Sequence, residues 1–393
     1  MSACPSMWQP IPTKGGWLYR LRLVGGRVTL DQLRKIRTWV QEGEIEISRR
    51  GNLQYRSASL TAITVIEELQ AVGLIGDQDT DHLRNIMLSP TCGIDRQAVI
   101  DLSPLAKEWE EYLSKRREWQ KLSAKFSIGF DGGEALSIKS LTNDILVSAI
   151  DGNYCQIIIN GNQGLTVSYG EVINLLDQLT SLYLEFTHLT GKQPRFLEMM
   201  KTQSIAGIWQ QTMPVSRNHL PLPTQHIGIY PQKDKDYYYI GIFLPFGRLS
   251  AVQLEQLITV CNHYQIPEVR FTPWRNLILP FVHHSCATAC CQTLSHLHFS
   301  LSPPPLQITV CAGKYCSVSF TDTQKDAQEL QEALSDHSLR IHLSGCSKLC
   351  AYDSSCDWLA IGYKPDYYHL YYQNQLVGEC PAGELLTNIK KFL

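Results

Sequence analysis

The sequence predicts an α+β protein in which one pair of domains occurs twice. Three observations predict this architecture: an internal repeat, a related series of strands and helices after each copy, and a proline-rich segment between the halves. Strands and helices alternate, but many strands are short and successive, which favours antiparallel or mixed sheets. The predicted order is A-B-A′-B′, with A over residues 1–75, B over 76–204, a linker and A′ over 205–282, and B′ over 283–393.

The repeat relates GWLYRLRLVGGRVTLDQLRKIRTWV (16–40) to YYIGIFLPFGRLSAVQLEQLITVCN (238–262). Each copy begins with an alternating strand and continues into a helix that has one apolar face. Thr29 and Ser250 stand in the N-cap positions of these helices, where a side-chain oxygen can accept a backbone N–H. Fixed-distance self-similarity of this kind indicates a duplicated structural unit.

A second strand closes each unit. It lies in the phrases ISRRGNLQYR (47–56) and RFTPWRNLIL (270–279), in which Asn52 aligns with Asn276 after a short insertion. Domains A and A′ are therefore predicted as strand–helix–strand units.

Domains B and B′ also follow a common plan. In B, a strand in LRNIMLSPTCGID precedes a helix over 103–121, strands in KFSIGF, DILVSAID and CQIIIN, and a long helix over 170–186. In B′, a strand in QITVCAGKYC precedes a helix over 323–335 and strands in LRIHLSGC, WLAIGY and YYHLYYQ. The segment 205–236 contains four prolines and is predicted as the linker between the halves.

Composition excludes several classes of protein. The 393 residues are enough for two or three domain cores. The net charge of −2 argues against a general nucleic-acid-binding protein, which usually has a basic surplus. The longest apolar runs, such as residues 240–246, are far shorter than the roughly 20 residues of a membrane span. The first residues, MSACPSMWQP, lack the pattern of a secretory signal. We expect a cytoplasmic protein with no nucleic-acid or membrane partner.

Cysteine spacing indicates a metal centre. The 13 cysteines cannot all pair internally, and a disulfide framework is not expected in a reducing compartment. Cys311 and Cys316 form a C-x4-C pair after one predicted strand, and Cys346 and Cys350 form a C-x3-C pair after another. Four thiolates suit either a 4Fe–4S cluster or tetrahedral zinc, and the spacing alone leaves both open. Buried thiols are the structural alternative.

Other cysteines compete for the ligand positions. Cys356 follows the second pair closely, and the segment HHSCATACC contains Cys286, Cys290 and Cys291 beside two histidines. The favoured interpretation of HHSCATACC is a helix with small residues packed inward, and a metal site there is the less favoured alternative.

SGCSKLC followed by DWLAIG resembles the signature of the sulfite and nitrite reductase family, in which two cysteine pairs hold a 4Fe–4S cluster beside a sirohaem. The phrases SRRGNLQYR, LRNIMLSPTCGID, LSAKFSIGFDGG, FTPWRNLILP and HLSGCSKLC look most like the precorrin-3B synthase branch of that family. The resemblance covers nearly the whole chain, including the duplication. It implies that A and A′ are ferredoxin-like half-domains, that B and B′ are α/β domains, and that Cys311, Cys316, Cys346 and Cys350 of B′ bind the cluster.

The resemblance also implies functional residues. Arg50 in SRRGNLQ, Arg84 in LRNIM and Lys125 in SAKFS match catalytic positions that also contact the substrate. Further substrate-binding positions are Asn52, Gln54 and Arg275. Two features depart from the family pattern. Ser127 stands where the reductases have a second active-site lysine, and the first cysteine pair is C-x4-C where C-x5-C is usual.

The implied activity is hydroxylation of precorrin-3A at C20 with formation of a γ-lactone, using O₂ and a 4Fe–4S cluster. Electrons are expected from an external reductase or ferredoxin, because no G-x-G-x-x-G motif indicates a tightly bound NAD or flavin. A mononuclear non-haem iron is a further candidate cofactor, although the histidines form no recognisable facial triad. The first alternative is a sirohaem-dependent ferredoxin sulfite or nitrite reductase. The second is a non-catalytic metal-binding protein on the same fold.

Overall fold

The computed structural model describes residues 4–159, 163–190, 226–351 and 356–393, together with Phe196 and Met199. The strands in these ranges form four five-stranded sheets, and helices pack against them. The predicted α+β class is thereby confirmed. No helix in the described ranges combines the length and the apolar character that crossing a membrane requires.

The first half of the chain contributes two of these sheets. In domain A the elements are β1 (Ile11–Thr13), β2 (Gly16–Leu21), β3 (Arg27–Thr29), α1 (Leu30–Val40), β4 (Glu44–Ile47), β5 (Leu53–Ser57) and α2 (Ile63–Ala71). In domain B they are β6 (Ile86–Leu88), α3 (Ser103–Lys115), β7 (Ile128–Asp131), β8 (Ile145–Ala149), β9 (Tyr154–Ile159), β10 (Gln163–Ser168) and α4 (Val172–Thr190).

The second half repeats the plan. In domain A′ the elements are β11 (Gly228–Pro231), β12 (Tyr237–Ile242), β13 (Arg248–Ser250), α5 (Ala251–His263), β14 (Glu268–Phe271), β15 (Leu277–His283) and α6 (Ala287–His296). In domain B′ they are β16 (Leu306–Val310), α7 (Thr323–Leu334), β17 (Leu339–Ser344), β18 (Trp358–Lys364), β19 (Tyr367–Tyr372), β20 (Gln375–Pro381) and α8 (Leu385–Lys390).

Equivalent local contacts confirm the repeat between A and A′. Thr29 at the start of α1 and Ser250 at the start of α5 each accept the N–H of the third helical residue, and that residue's glutamine side chain accepts the N–H of the cap. The side-chain oxygen of Asn52 accepts the N–H of Leu23 at 2.9 Å. Asn276 does the same for the N–H of Leu244, also at 2.9 Å.

A and A′ exchange a strand each. β13 of A′ completes the sheet β1-β2-β5-β4-β13, and β3 of A completes the sheet β11-β12-β15-β14-β3. Apolar residues from both units then form one continuous core that includes Leu33, Ile45, Leu249 and Leu257. A and A′ are therefore one structural unit rather than two independent domains.

Two predicted boundaries need correction. α6 packs Ala287, Cys290 and Leu294 into the core shared by A and A′, so B′ begins after residue 299 rather than at 283. HHSCATACC accordingly includes the start of a helix with Cys290 turned inward. The predicted linker 205–236 lies outside the described residues up to 225, and its last part contains β11, which pairs with β12 in the A′ sheet.

B and B′ have the same sheet topology. The first three strands of each sheet are parallel, and the last two are antiparallel hairpin partners, in the orders β6-β7-β8-β9-β10 and β16-β17-β18-β19-β20. The carboxyl ends of β16 and β17 are therefore neighbours at one edge of the B′ sheet, with Val310 opposite Leu343. This arrangement places the loops that carry the two cysteine pairs side by side.

Candidate functional site

One face of the domain A sheet forms the floor of a cavity of about 530 Å³. Because side chains alternate along a strand, Tyr19 and Leu21 of β2 enter the core while their neighbours point the opposite way. β2 and β5 are paired with Leu18 opposite Arg56 and Arg20 opposite Gln54. All four of these residues line the cavity. The alternation in YRLRL thus produces one apolar face and one strongly basic face.

The charged side chains that line the cavity are mostly basic. Its described side chains include a single carboxylate, Glu46, and seven basic residues, namely Arg20, Arg22, Arg49, Arg50, Arg56, Lys125 and Arg275. We call this space the basic cavity. Its charge suits an anionic ligand, and arginine is the side chain that best grips carboxylates through paired hydrogen bonds.

The cysteine loops of B′ close the cavity on one side. Cys311, Cys316 and Cys350 line it, and Cys346 lies in the same loop as Cys350. We call Cys311, Cys316, Cys346 and Cys350 the cysteine quartet. The backbone N–H of Cys311 donates to Leu343 O at 3.2 Å, so this cysteine continues the parallel pairing of β16 with β17.

Backbone amides already point at one of these sulfurs. Gly345 N and Gly313 N lie 3.1 and 3.4 Å from Cys311 Sγ. A side chain on Gly345 would place its Cβ 1.8 Å from Ser319 Oγ, so only glycine lets the two loops approach this closely. N–H groups directed at sulfur are the arrangement that iron–sulfur proteins use to tune their clusters.

The four thiols act on one another electrostatically. Burial raises the pKa of the Cys350 thiol first, and the nearby Cys346, Cys311 and Cys316 raise it further. No three His, Cys, Asp or Glu side chains in the described ranges are close enough to hold one metal ion, but a 4Fe–4S cluster takes only one thiolate at each of its four iron atoms. A 4Fe–4S cluster needs four thiolates, and the quartet supplies this donor set together with the N–H groups directed at sulfur. The residues therefore fit such a cluster. Cys356 is not among the residues that line the cavity.

The structure brings most of the predicted substrate-binding residues to the basic cavity. Arg50, Asn52, Gln54 and Lys125 all line it. The guanidinium of Arg50 donates to Thr142 O at 2.9 Å and to Asn143 Oδ1 at 3.2 Å, which fixes its direction. Asn52 is buried and also holds the backbone of domain A through Leu23.

Arg84 is placed differently from the prediction. It does not line the cavity, because its guanidinium donates to Glu110 at 2.8 Å and to the carbonyls of Leu74 and Gly73. Asp81 lies between Arg84 and the cavity residue Arg22, at 3.8 and 3.5 Å. Arg84 therefore supports Arg22 through Asp81 in this structure, and its expected role at the substrate stays a prediction.

Ser127 and Arg275 also have structural partners. Ser127 is buried, and both its N–H and its hydroxyl donate to Asp144 Oδ2, so it presents nothing to the cavity. Arg275 lines the cavity, but its guanidinium donates to three backbone carbonyls and to Glu46. The expected ligand contact of Arg275 is therefore largely replaced by contacts within the protein.

Arg20, Arg22 and Glu46 also line the cavity, although the sequence motifs did not predict them as site residues. Arg20 Nε has no hydrogen-bond partner, and the pKa of Arg20 is lowered by burial and by Arg22 but raised by Cys4, Glu46 and Cys350. The charge of Arg20 therefore interacts both with Glu46 on the sheet and with Cys350 of the cysteine quartet. The alternation in YRLRL could have identified the arginines, but it could not show that their face meets B′ rather than solvent.

Comparison with known proteins gives consistent results. Residues 79–188 match the nitrite and sulphite reductase 4Fe-4S domain, and residues 230–290 match the nitrite/sulfite reductase ferredoxin-like half domain. The first match covers domain B, whereas the cysteine quartet lies in B′. Since B and B′ share one sheet topology, the quartet occupies the second copy of the same domain.

Individual relatives cover most of the chain. A precorrin-3B synthase from Sinorhizobium sp. is 28% identical over 381 residues, which are 92% of this chain and 80% of that protein. A ferredoxin–nitrite reductase from Synechococcus elongatus is 25% identical over 407 residues, covering 91% and 78%. The structure of the Mycobacterium tuberculosis NirA protein superposes with a TM-score of 0.76 at 18% identity, covering 95% of this chain and 79% of that one.

Each line of evidence points to the same group of proteins. The duplicated architecture, the two domain matches and the similarity to NirA agree with the resemblance found in the sequence. Residues 79–188 and 230–290 therefore match two domains of the nitrite and sulfite reductases, and the chain is similar over most of its length to a precorrin-3B synthase and to nitrite reductases.

Proposed function

We propose that the protein is a precorrin-3B synthase-like monooxygenase of cobalamin biosynthesis. Its substrate is precorrin-3A, which it hydroxylates at C20 with formation of a γ-lactone, using O₂ and a 4Fe–4S cluster. The observation that supports this proposal most directly is the basic cavity, with seven cationic side chains, beside the cysteine quartet.

The cavity suits a tetrapyrrole that carries many carboxylates. Its volume of about 530 Å³ is within the range of about 300–1,000 Å³ that is common for small-molecule sites. Arg20 and Arg56 lie on two paired strands and Arg22 directly follows the first of them, so the three can bind several carboxylates around the rim of a macrocycle. Arg50 and Lys125 approach from the neighbouring loops and fix its orientation.

The cysteine quartet holds the cluster in this proposal. When bound, the cluster supplies electrons one at a time, and these come from a separate reductase or ferredoxin. The chain's own part is to hold the macrocycle against the cysteine loops and to exclude water from that contact. For a mononuclear iron, the described residues contain no compact group of three His, Cys, Asp or Glu side chains.

A sirohaem-dependent nitrite or sulfite reductase is the second candidate, because nitrite reductases match the chain almost as well as precorrin-3B synthase does. Ser127 argues against it. The reductases resembled by this sequence use two lysines next to the reacting anion, whereas Ser127 is buried against Asp144 and leaves Lys125 alone. A single amine provides less charge and fewer protons for reducing an anion.

The deciding experiment is a UV–visible spectrum of anaerobically purified protein, with iron and sulfide assays on the same sample. We expect a broad visible absorption that bleaches with dithionite, about four iron atoms per chain and no macrocycle bands. Added tetrapyrrole should then bind with a defined stoichiometry. Tightly bound sirohaem would instead assign the protein to the reductases, and absence of iron and sulfide would favour a non-catalytic protein.

A further inference from the structure

Arg275 has an unusual backbone conformation for its residue type. Its φ is 63°, in the left-handed region that favours glycine. The alignment of Asn52 with Asn276 makes Gly51 its counterpart in the first repeat, and Gly51 has a φ of 70°. An arginine is thus held where the repeat otherwise has glycine. Such conformations are retained when the surrounding contacts require that particular side chain.

The side chain of Arg275 joins the unit formed by A and A′ to domain B′. Nε donates to Ile47 O at 3.0 Å in A, and Nη2 donates to Phe246 O at 2.7 Å in A′. Nη1 donates to Val310 O in B′ at 2.9 Å, and Val310 is the residue directly before Cys311. The guanidinium therefore fixes the start of the first cysteine loop against the floor of the basic cavity.

This guanidinium also carries a charge that is only partly compensated. Its ion-pair partner Glu46 lies 3.3 Å away, but Glu46 also pairs with Arg56 at 3.1 Å and Arg248 at 3.8 Å. Arg248 also pairs with Glu44, so two carboxylates face three guanidinium groups. Burial lowers the pKa of Arg275, while Glu46 and Cys311 raise it, which places the Cys311 sulfur within electrostatic range.

We propose that Arg275 is a positioning residue that fixes the Cys311 loop and raises the reduction potential of the cluster held by the cysteine quartet. The inference rests on the cluster ligation proposed above. A fixed buried cation favours the reduced cluster, because reduction adds one negative charge and the interior screens charges weakly. Arg275 performs this role without acting as a ligand of the tetrapyrrole, since its N–H groups bind the protein.

The test compares Arg275→Gln, Arg275→Lys and Arg270→Gln in anaerobically purified, cluster-loaded protein. Arg270 is the matched control because it is equally buried and its Nη1 donates to Pro90 O and Cys92 O in B, the corresponding loop of the other half. The measured quantity is the midpoint potential, from a dithionite titration followed by electron paramagnetic resonance.

For Arg275→Gln we expect at least a tenfold lower equilibrium constant for one-electron reduction, which corresponds to a potential about 59 mV more negative. Arg275→Lys keeps the charge and should stay closer to the wild type. Arg270→Gln should destabilise the fold but leave the potential unchanged. A loaded Arg275→Gln protein with the wild-type potential would overturn the inference.

A second variant covers the case in which Arg275→Gln fails to retain iron. Glu46→Gln removes the counter-charge and should make the potential less negative, and an unchanged potential in that variant would also overturn the inference. A wild-type protein without iron and sulfide would contradict both this inference and the proposed function. A normal cluster with unaffected potentials would contradict the inference alone.

Discussion

The arginines that line the basic cavity differ in how many of their hydrogen-bond donors already have partners within the protein. Arg50 is bound to Thr142 and Asn143, and Arg22 is paired with Asp81. Arg20 lines the same cavity, with a buried Nε that lacks a hydrogen-bond partner. An unpaired buried donor is costly, and a ligand carboxylate would satisfy it. Arg20 is therefore the residue at which we expect ligand binding to be most sensitive.

Arg20→Gln should lower the affinity for a carboxylated tetrapyrrole by about 10–100-fold. The estimate follows from the roughly 1.5–3 kcal/mol that a hydrogen bond to a charged group contributes, and from about 1.4 kcal/mol per tenfold in affinity. Direct titration of the purified protein measures the effect. Arg49→Gln is the matched control, because Arg49 is an exposed residue of the same cavity, and it should change the affinity much less. Equal effects of both variants would remove the special role of Arg20.

Glu134 provides a pH-dependent prediction away from the site. Burial and then Asp131 raise its pKa from 4.5 to about 7. Between these two values the folded state binds more protons than the unfolded state, so stability falls as the pH rises from about 4.5 to about 7. The loss can reach about 3 kcal/mol, at 1.36 kcal/mol per pKa unit. Glu134→Gln should abolish most of this dependence.

Urea unfolding at pH 5 and at pH 8 measures that effect. The wild type should lose more stability between the two pH values than Glu134→Gln does. Glu111→Gln, at an exposed position of α3, should behave like the wild type. An identical pH dependence in Glu134→Gln would show that this carboxyl ionises normally in the folded protein.

At the level of the structural elements, the packing of the two cysteine loops against each other depends on the close approach of Gly345 to Cys311 and Ser319. Gly345 N lies 3.1 Å from Cys311 Sγ, and a Cβ added to Gly345 would lie 1.8 Å from Ser319 Oγ. The apolar strand patterns that precede both cysteine pairs predict that the pairs lie at strand ends. The contact between the loops cannot be read from these patterns, since it depends on the parallel pairing of β16 with β17.

Gly345→Ala should therefore reduce cluster retention several-fold, measured as iron and sulfide per chain. The double variant Gly345→Ala/Ser319→Gly removes the clashing hydroxyl and should recover much of the loss, because the next contact of the added Cβ is at 3.5 Å. Gly383→Ala is the control, since a Cβ at that position meets nothing within 4 Å. Full iron content in Gly345→Ala would show that the loops tolerate a wider separation.

At the scale of the whole molecule, the duplicated halves have become unequal. The counterpart of the basic cavity in the second half is occupied by an apolar cluster in which Ile94 and Leu136 pack with Tyr239 and Ile278. In the repeat alignment, Tyr239 takes the place of Leu18 and Ile278 that of Gln54. The repeat, the strand types and the cysteine pairs could be predicted from sequence periodicity. The strand exchange and the contacts of Arg84 with Glu110 and the loop at 73–74 could not, because they join segments that sequence periodicity does not relate.

This asymmetry predicts one cluster and one ligand site per chain. Cys350→Ser should abolish cluster assembly, because in the proposed ligation the quartet supplies all four thiolates and the loss of one leaves an iron without its ligand. Cys92 occupies the corresponding loop of domain B, where burial raises the pKa of its thiol to about 12 and keeps it protonated. Cys92→Ser should therefore retain about four iron atoms per chain.

Iron and sulfide assays on anaerobically purified variants distinguish these outcomes, and circular dichroism checks that each variant is folded. Cys356→Ser is a further control, because Cys356 follows the quartet in sequence but does not line the basic cavity. If Cys356→Ser lost its iron while Cys350→Ser kept it, the ligand set would shift toward Cys356. If Cys92→Ser alone lost iron, the metal would lie in the first half, and the proposed placement of the cluster in B′ would be wrong.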